Sequence, residues 1–198
     1  MTASYDIDDD ILDAAGKLFS QLGYDSTTLK MISEVARVET TLLEEIGREQ
    51  IYRQVFARLR DIETARIDAA LSESTHGVEG IHRVIDAFFD FIVDHPQLPA
   101  LWSHRGLGDA TDVHLSLAED PPPFIDVLTS TPWEGVAPDL DLRLLAWIVI
   151  WSIGTFVHNG FMDEDGRQVF PDDPHAVRRL REQLHKILDA LNRTESAG

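Results

Sequence analysis

Residues 11–38 read ILDAAGKLFSQLGYDSTTLKMISEVARV, and this stretch decides the fold. Ile11, Ala14/Ala15, Leu18, Phe19 and Leu22 recur with the 3.6-residue period of an amphipathic helix, and Ile7 extends the stripe upstream. Gly23 follows the last apolar position, where a residue free to take a positive φ commonly ends a helix. Ser26 or Thr27 offers a capping hydroxyl for a second helix, with Leu29, Ile32, Val35 and Ala36 on its apolar face. A third, very short helix starts near Glu39, carries Leu42, Leu43 and Ile46, and ends at Gly47.

Outward from this core the chain remains helical. A long helix is expected over Arg48–Ser74, with Ile51, Val55, Leu59, Ile62, Arg66, Ala69 and Ala70 at helical spacing, and another over Val78–Asp94. All nine prolines lie at or after Pro96, so nothing breaks a helix before that point, and His95-Pro96 closes the fifth one. Shorter helices are expected at Leu98–Leu107 and Phe124–Leu128, then an apolar one over Asp139–Phe161 and a last one over Pro174–Leu191 opened by Asp173-Pro174. No alternation of period two is long enough for a strand. The expected fold class is all-α, with about nine helices.

The 198 residues hold 43% hydrophobic and 26% charged residues, the balance of a globular chain. Cysteine is absent, which removes disulfides, thiolate nucleophiles and cysteine-ligated metals. The acidic start MTASYDIDDDIL lacks the basic-then-apolar order of a signal peptide, and the apolar stretch Leu144–Val157 is short for a bilayer, so a cytoplasmic protein without membrane contact is expected.

Residues 11–55 resemble the TetR family of transcriptional regulators. The resemblance is carried by Ile11–Val38, with its Gly23-Tyr24 pair and the Ser26-Thr27-Thr28 turn before Leu29–Ala36, and by REQIYRQVF from Arg48. It implies a helix-turn-helix domain over residues 1–47 and a helical ligand-binding and dimerisation domain over residues 48–198. It also implies a repressor that holds operator DNA as a homodimer and is released by a small apolar or aromatic effector. Two short helices joined by a tight turn form a wedge that suits a major groove about 12 Å wide. The residues expected to meet DNA are Thr27, Thr28, Lys30, Thr40, Thr41 and Arg48.

Departures from the family fall where DNA would be read. Arg37-Val38 stands where the family's turn has Gly before Val, which costs energy if that backbone needs φ above zero. The reading helix carries Glu39, Glu44 and Glu45, with Glu44 in place of the usual aromatic phosphate contact. Residues 1–46 hold three basic residues (Lys17, Lys30, Arg37) against ten acidic ones, a net charge of −7 within a chain total of −18. DNA affinity comes largely from neutralised phosphates. An alternative is therefore a binding protein on the same scaffold that no longer contacts DNA.

In the second domain, Phe88, Phe91, Trp102, His104, Arg105, Trp147, Trp151 and His158 are candidates for an effector pocket, apolar with a few polar handles. Val177, Leu180, Leu184, Ile187, Leu188 and Leu191 form a stripe suited to dimer packing. His95, His104, Asp109, Asp112 and His114 lack metal-ligand spacing, and Asp163-Glu164-Asp165-Gly166 lacks the ligand order of a calcium loop. No nucleophile elbow or phosphate loop is present, so no metal, cofactor or catalysis is expected.

Overall fold

The computed structural model describes residues 7–72, 76–115 and 121–193. Among them are nine α-helices: α1 (Asp9–Leu22), α2 (Leu29–Ala36), α3 (Thr40–Ile46), α4 (Arg48–Ser72), α5 (Val78–Asp94), α6 (Gln97–Gly106), α7 (Pro123–Ser130), α8 (Leu142–Asn159) and α9 (Pro174–Arg193). The chain forms two compact units: Met1–Asp61 with Gln97–Asp120, and Ile62–Pro96 with Pro121–Gly198. Packing thus divides the chain differently from the expected boundary at Gly47/Arg48, since the first half of α4 and all of α6 go with the first three helices. The expected last residue of the long helix, Ser74, lies outside the described residues.

In the first unit, α1 begins on an Asp8 cap whose carboxylate accepts from the Asp10 N–H, with Asp9 and Asp10 in the positive first turn. Phe19, fully buried, meets Tyr52 edge-on at 5.0 Å between ring centroids, and Tyr52 continues the cluster to Tyr24 at 4.8 Å and Phe56 at 5.1 Å. Ile32 and Leu43 are the buried anchors of α2 and α3. The α2 cap is Thr28, which accepts from the Met31 N–H, rather than Ser26 or Thr27. Arg37 takes the left-handed conformation at φ 59° and ψ 41°, so the turn does impose on an arginine the geometry that glycine bears more cheaply.

The second unit is built on α5, whose Ile81, Val84, Ile85, Phe88, Phe89 and Ile92 are buried. Phe88 stacks on Phe124 of α7 at 4.2 Å. Pro122 and Pro123 open α7, and the next free amide, that of Phe124, donates to the buried Glu63 carboxylate at 3.0 Å. Glu63 is 2% exposed and sits one helical step from Leu59 and Ile67, inside an otherwise apolar stripe of α4. Helix α8 starts at an Asp141 cap rather than Asp139, and Gly160, at φ 61°, stops it before Phe161. Phe161 belongs instead to an antiparallel pair of two-residue strands, β1 (Phe161–Met162) and β2 (Gln168–Val169), too short for any alternation to reveal.

Burial on the last two helices is one-sided. On α8 Leu145, Ala146, Val149, Ile153 and Phe156 are buried, while Leu144, Ile148 and Trp151 are exposed. It is also the one helix among the described residues long and apolar enough to cross a membrane by length and composition. The stripe expected on α9 splits: Leu184 and Leu188 are buried within the unit, Val177 and Leu180 are half-buried, and Ile187 and Leu191 face outward.

Replacing Glu63 with Ala should cost about 1–3 kcal/mol of stability, because the buried Phe124 amide loses its acceptor. Glu63→Gln, which retains an acceptor, should cost less. Urea unfolding measures both, and equal midpoints for the wild type and Glu63→Ala would contradict this role.

Candidate functional site

The turn between α1 and α2 is held by polar contacts from both sides. Arg48, the first residue of α4, directs its guanidinium at the carbonyls of Tyr24 (3.2 Å) and Thr27 (3.0 Å), and lies 4.1 Å over the Tyr24 ring. Asp109, in the segment after α6, accepts from the Tyr24 N–H at 2.7 Å and the Asp25 N–H at 2.9 Å. Gly23 at φ 83° is needed here, since a Cβ would lie 3.0 Å from the Asp109 carboxylate. The Thr27 hydroxyl, fully buried, donates to the Gly23 carbonyl at 2.7 Å.

These contacts reassign part of the expected DNA surface. Thr27 is buried, and Arg48 is half-buried with its guanidinium on the turn, so neither presents its polar group outward. Thr40 is half-buried and shares a 2.8 Å hydrogen bond with Ser33, which ties α3 to α2. Thr28, Lys30 and Thr41 remain exposed. Lys30 stands 3.9 Å from Glu34, a loose pair between largely exposed side chains that leaves the ammonium available. On α3 the exposed residues are Thr41, Leu42, Glu44 and Glu45, with Glu39 exposed at its cap.

The eight effector candidates do not converge. Trp102 packs edge-on against Phe56 at 5.1 Å, His104 Nε2 lies 3.1 Å from the Ser20 carbonyl, and Arg105 donates to the carbonyls of Ala110 and Val113. All three work inside the first unit, where α6 lies against α1. Phe88 and Phe91 are buried on α5 in the second unit. Trp147 and Trp151 stack on each other at 5.8 Å on α8, where Trp151 is 58% exposed, and His158 is exposed as well. The apolar cluster that the second unit does assemble is Phe88, Phe91 and Phe124, with Glu63 as a buried polar group.

Sequence reasoning missed Glu63 and Asp109. The first had a signal, a lone carboxylate in the i, i+4 series Leu59, Glu63, Ile67. Asp109 had none, because only the folded turn shows its 84-residue reach to Asp25. Among the described residues no group of three His, Asp or Glu is placed to hold a metal, and His95 lies in a different unit from His104, Asp109, Asp112 and His114.

Solved structures share this architecture across most of the chain. FadR of Bacillus subtilis, crystallised with stearoyl-CoA, superposes with a TM-score of 0.64 at 18% identity over 92% of this chain and 97% of its own. PfmR of Thermus thermophilus, a TetR-family transcriptional regulator, gives 0.66 at 17% identity over 91% and 94%. The fold is that of the TetR-family regulators. The ketosteroid transcriptional regulator KstR2 of Mycobacterium tuberculosis gives 0.61 at 18% identity over 90% and 91%. In sequence, the HTH-type transcriptional regulator YhgD of Bacillus subtilis (strain 168) is 29% identical over 87 residues. That match spans 43% of this chain and 46%, just under half, of the relative. No protein-family model matches the chain.

If the turn contacts are structural, Arg48→Ala should destabilise the protein by about 1–3 kcal/mol, through loss of charge-assisted bonds to carbonyls. Thr41→Ala, at an exposed position, should shift stability by less than about 0.5 kcal/mol. Denaturant unfolding of the two variants separates them, and an unchanged Arg48→Ala would contradict the turn-holding role.

Proposed function

We propose that this protein is a cytoplasmic, dimeric, ligand-responsive transcriptional regulator, a repressor rather than an enzyme, that holds operator DNA through α2 and α3. The observation that carries this reading is the wedge itself. A capped α2, a left-handed turn at Arg37 and an α3 with an exposed outer face stand on a turn pinned by Arg48 and Asp109. Thr28 and Lys30 offer a hydroxyl and a cation to the phosphate backbone, and Thr41 faces the bases. Two such wedges on a dimer would meet half-sites about 34 Å apart.

The exposed apolar residues Leu144, Ile148 and Trp151 of α8, with Ile187 and Leu191 of α9, favour a two-fold helical interface. A second copy would cover this face, which accounts for it without a membrane. The phenylalanine cluster around Phe88 and Phe124, with the buried Glu63, favours an effector that is apolar along most of its length. Long-chain acyl and steroid-like molecules fit that description, and FadR with its stearoyl-CoA and KstR2 lend support by shared fold alone. The effector would act by shifting the population between two dimer geometries.

One observation favours a second reading, in which the scaffold binds a ligand but no longer DNA. Glu39, Glu44 and Glu45 are exposed on the face that would enter the groove, and the ion pairs of the described residues do not involve them. Gel-shift titration of DNA flanking the protein's own coding region, at low salt, decides between the two. The regulator reading expects a specific shift that weakens on Thr41→Ala and strengthens on Glu44→Lys, with a salt slope steeper by about one unit for the added cation. No shift for either the wild type or Glu44→Lys at low salt would favour the second reading.

The dimer face has its own test. Ile148→Asp should turn a dimer into a monomer in light scattering with the helical content unchanged, and a wild type already monomeric at high micromolar concentration would contradict the interface.

A further inference from the structure

Helices α5 and α9 of the second unit are joined by three polar rungs. His82 faces Asp189, Asp86 faces His185, and Asp90 faces Arg181. Each rung advances four residues along α5 and retreats four along α9, so the series runs as one ladder between antiparallel helix faces. The His185 Nε2 to Asp86 Oδ1 distance is 2.9 Å, and Arg181 reaches both Asp90 and, at 3.6 Å, Asp86. Arg181 also lies 4.9 Å over the Phe89 ring, which fixes the far end of the ladder.

The first two rungs are coupled in an unusual way. The His82 and His185 rings stack face to face, with centroids 4.3 Å apart and planes 7° from parallel. His82 Nε2 lies 3.2 Å from Asp189 Oδ1 but off the hydrogen-bond direction, so this buried nitrogen has no hydrogen bond. Parallel rings direct their in-plane lone pairs side by side rather than at a common point. That geometry does not suit a metal, in keeping with the absence of a ligand triad among the described residues. It suits a pair in which charge on the more buried ring, His82, is resisted.

We propose that the His82–His185 stack is an acid-opened latch: α9 is fastened to α5 while the His82 ring is neutral, and is loosened when acidification charges it. The charged groups facing the stack are Glu79, Asp86 and Asp90 from α5, and Arg181 and Asp189 from α9. Glu79 is itself 3.6 Å from Arg83. The His185 ring has its hydrogen-bonded carboxylate at Asp86. A proton on His82 would sit on a ring stacked face to face with His185 and withdrawn from water, with the misaligned Asp189 and the carboxylates of Glu79 and Asp86 as its counter-charges.

Burial first, and the neighbouring His185 second, hold His82 below the ordinary histidine range. A group whose value is lowered by folding contributes stability above its unfolded value. That stability is lost as the pH falls through the unfolded value toward the folded one. The latch therefore opens on the acid side of neutrality. If Ile187 and Leu191 form the dimer face, loosening α9 also reaches the dimer; that consequence rests on the reading above, whereas the latch does not.

The test is a histidine-resolved NMR titration of the full chain with hydrogen exchange of α9 amides followed across the same range. The expected result is a His82 step displaced to the acid side of the ordinary histidine value. Protection of residues 180–189 should fall across that step by about tenfold for each pH unit separating the folded and unfolded His82 values. His82→Gln, which carries no titrating ring, should leave α9 protection nearly flat over that range. His82 titrating at the ordinary histidine value would overturn the latch. So would α9 protection that is independent of pH in the wild type, or equally pH-dependent in His82→Gln. These readouts require no DNA and no effector, so they fail or succeed separately from the regulatory function.

Discussion

The turn at residues 23–28 depends on the Arg48 guanidinium. A chain that leaves α1 and re-enters α2 within a few residues exposes carbonyls that neither helix can satisfy. Arg48 covers those of Tyr24 and Thr27 from one side while Asp109 takes the Tyr24 and Asp25 amides from the other. With the turn closed, Phe19, Tyr24, Tyr52 and Phe56 fall into one aromatic cluster, and α2 and α3 are presented as a rigid pair. One exposed cation has been moved inward to build the wedge. This sharpens the electrostatic problem on its outer face, where Glu39, Glu44 and Glu45 remain.

Acidity is spread unevenly in consequence. Residues 1–46 carry −7 of the chain's −18, and the remaining −11 lies in residues 76–198, where a regulator can turn it away from DNA. A neutral contact set of Thr28 and Thr41 with the single cation Lys30 implies a binding mode poor in phosphate neutralisation. It would rest on shape and hydrogen bonding more than on charge.

Much of the architecture was legible before folding because helical period, glycine stops and proline starts are local signals. Gly23, Gly47 and Asp173-Pro174 punctuate the chain where expected, and the nine helices of the described residues appear within a few residues of their predicted bounds. The sites were less legible, because a residue type does not reveal which way it faces. Thr27 and Arg48 have the chemistry of phosphate contacts and are engaged with their own backbone. Trp102, His104 and Arg105 have the chemistry of a pocket and support the first unit instead. Helix α8 is apolar along most of its length, whereas only one side of it is covered by its own chain. The ladder between α5 and α9 was present in the sequence as two runs of i, i+4 charges with reversed order, but only the antiparallel pairing gives them a common register.

The central claim is that α2 and α3 meet DNA. Hydrogen–deuterium exchange of the full chain, with and without a duplex from the region flanking its gene at low salt, measures this directly. Added protection is expected over residues 28–45, with unrelated duplex giving less. Unchanged exchange over those residues at saturating DNA would contradict it.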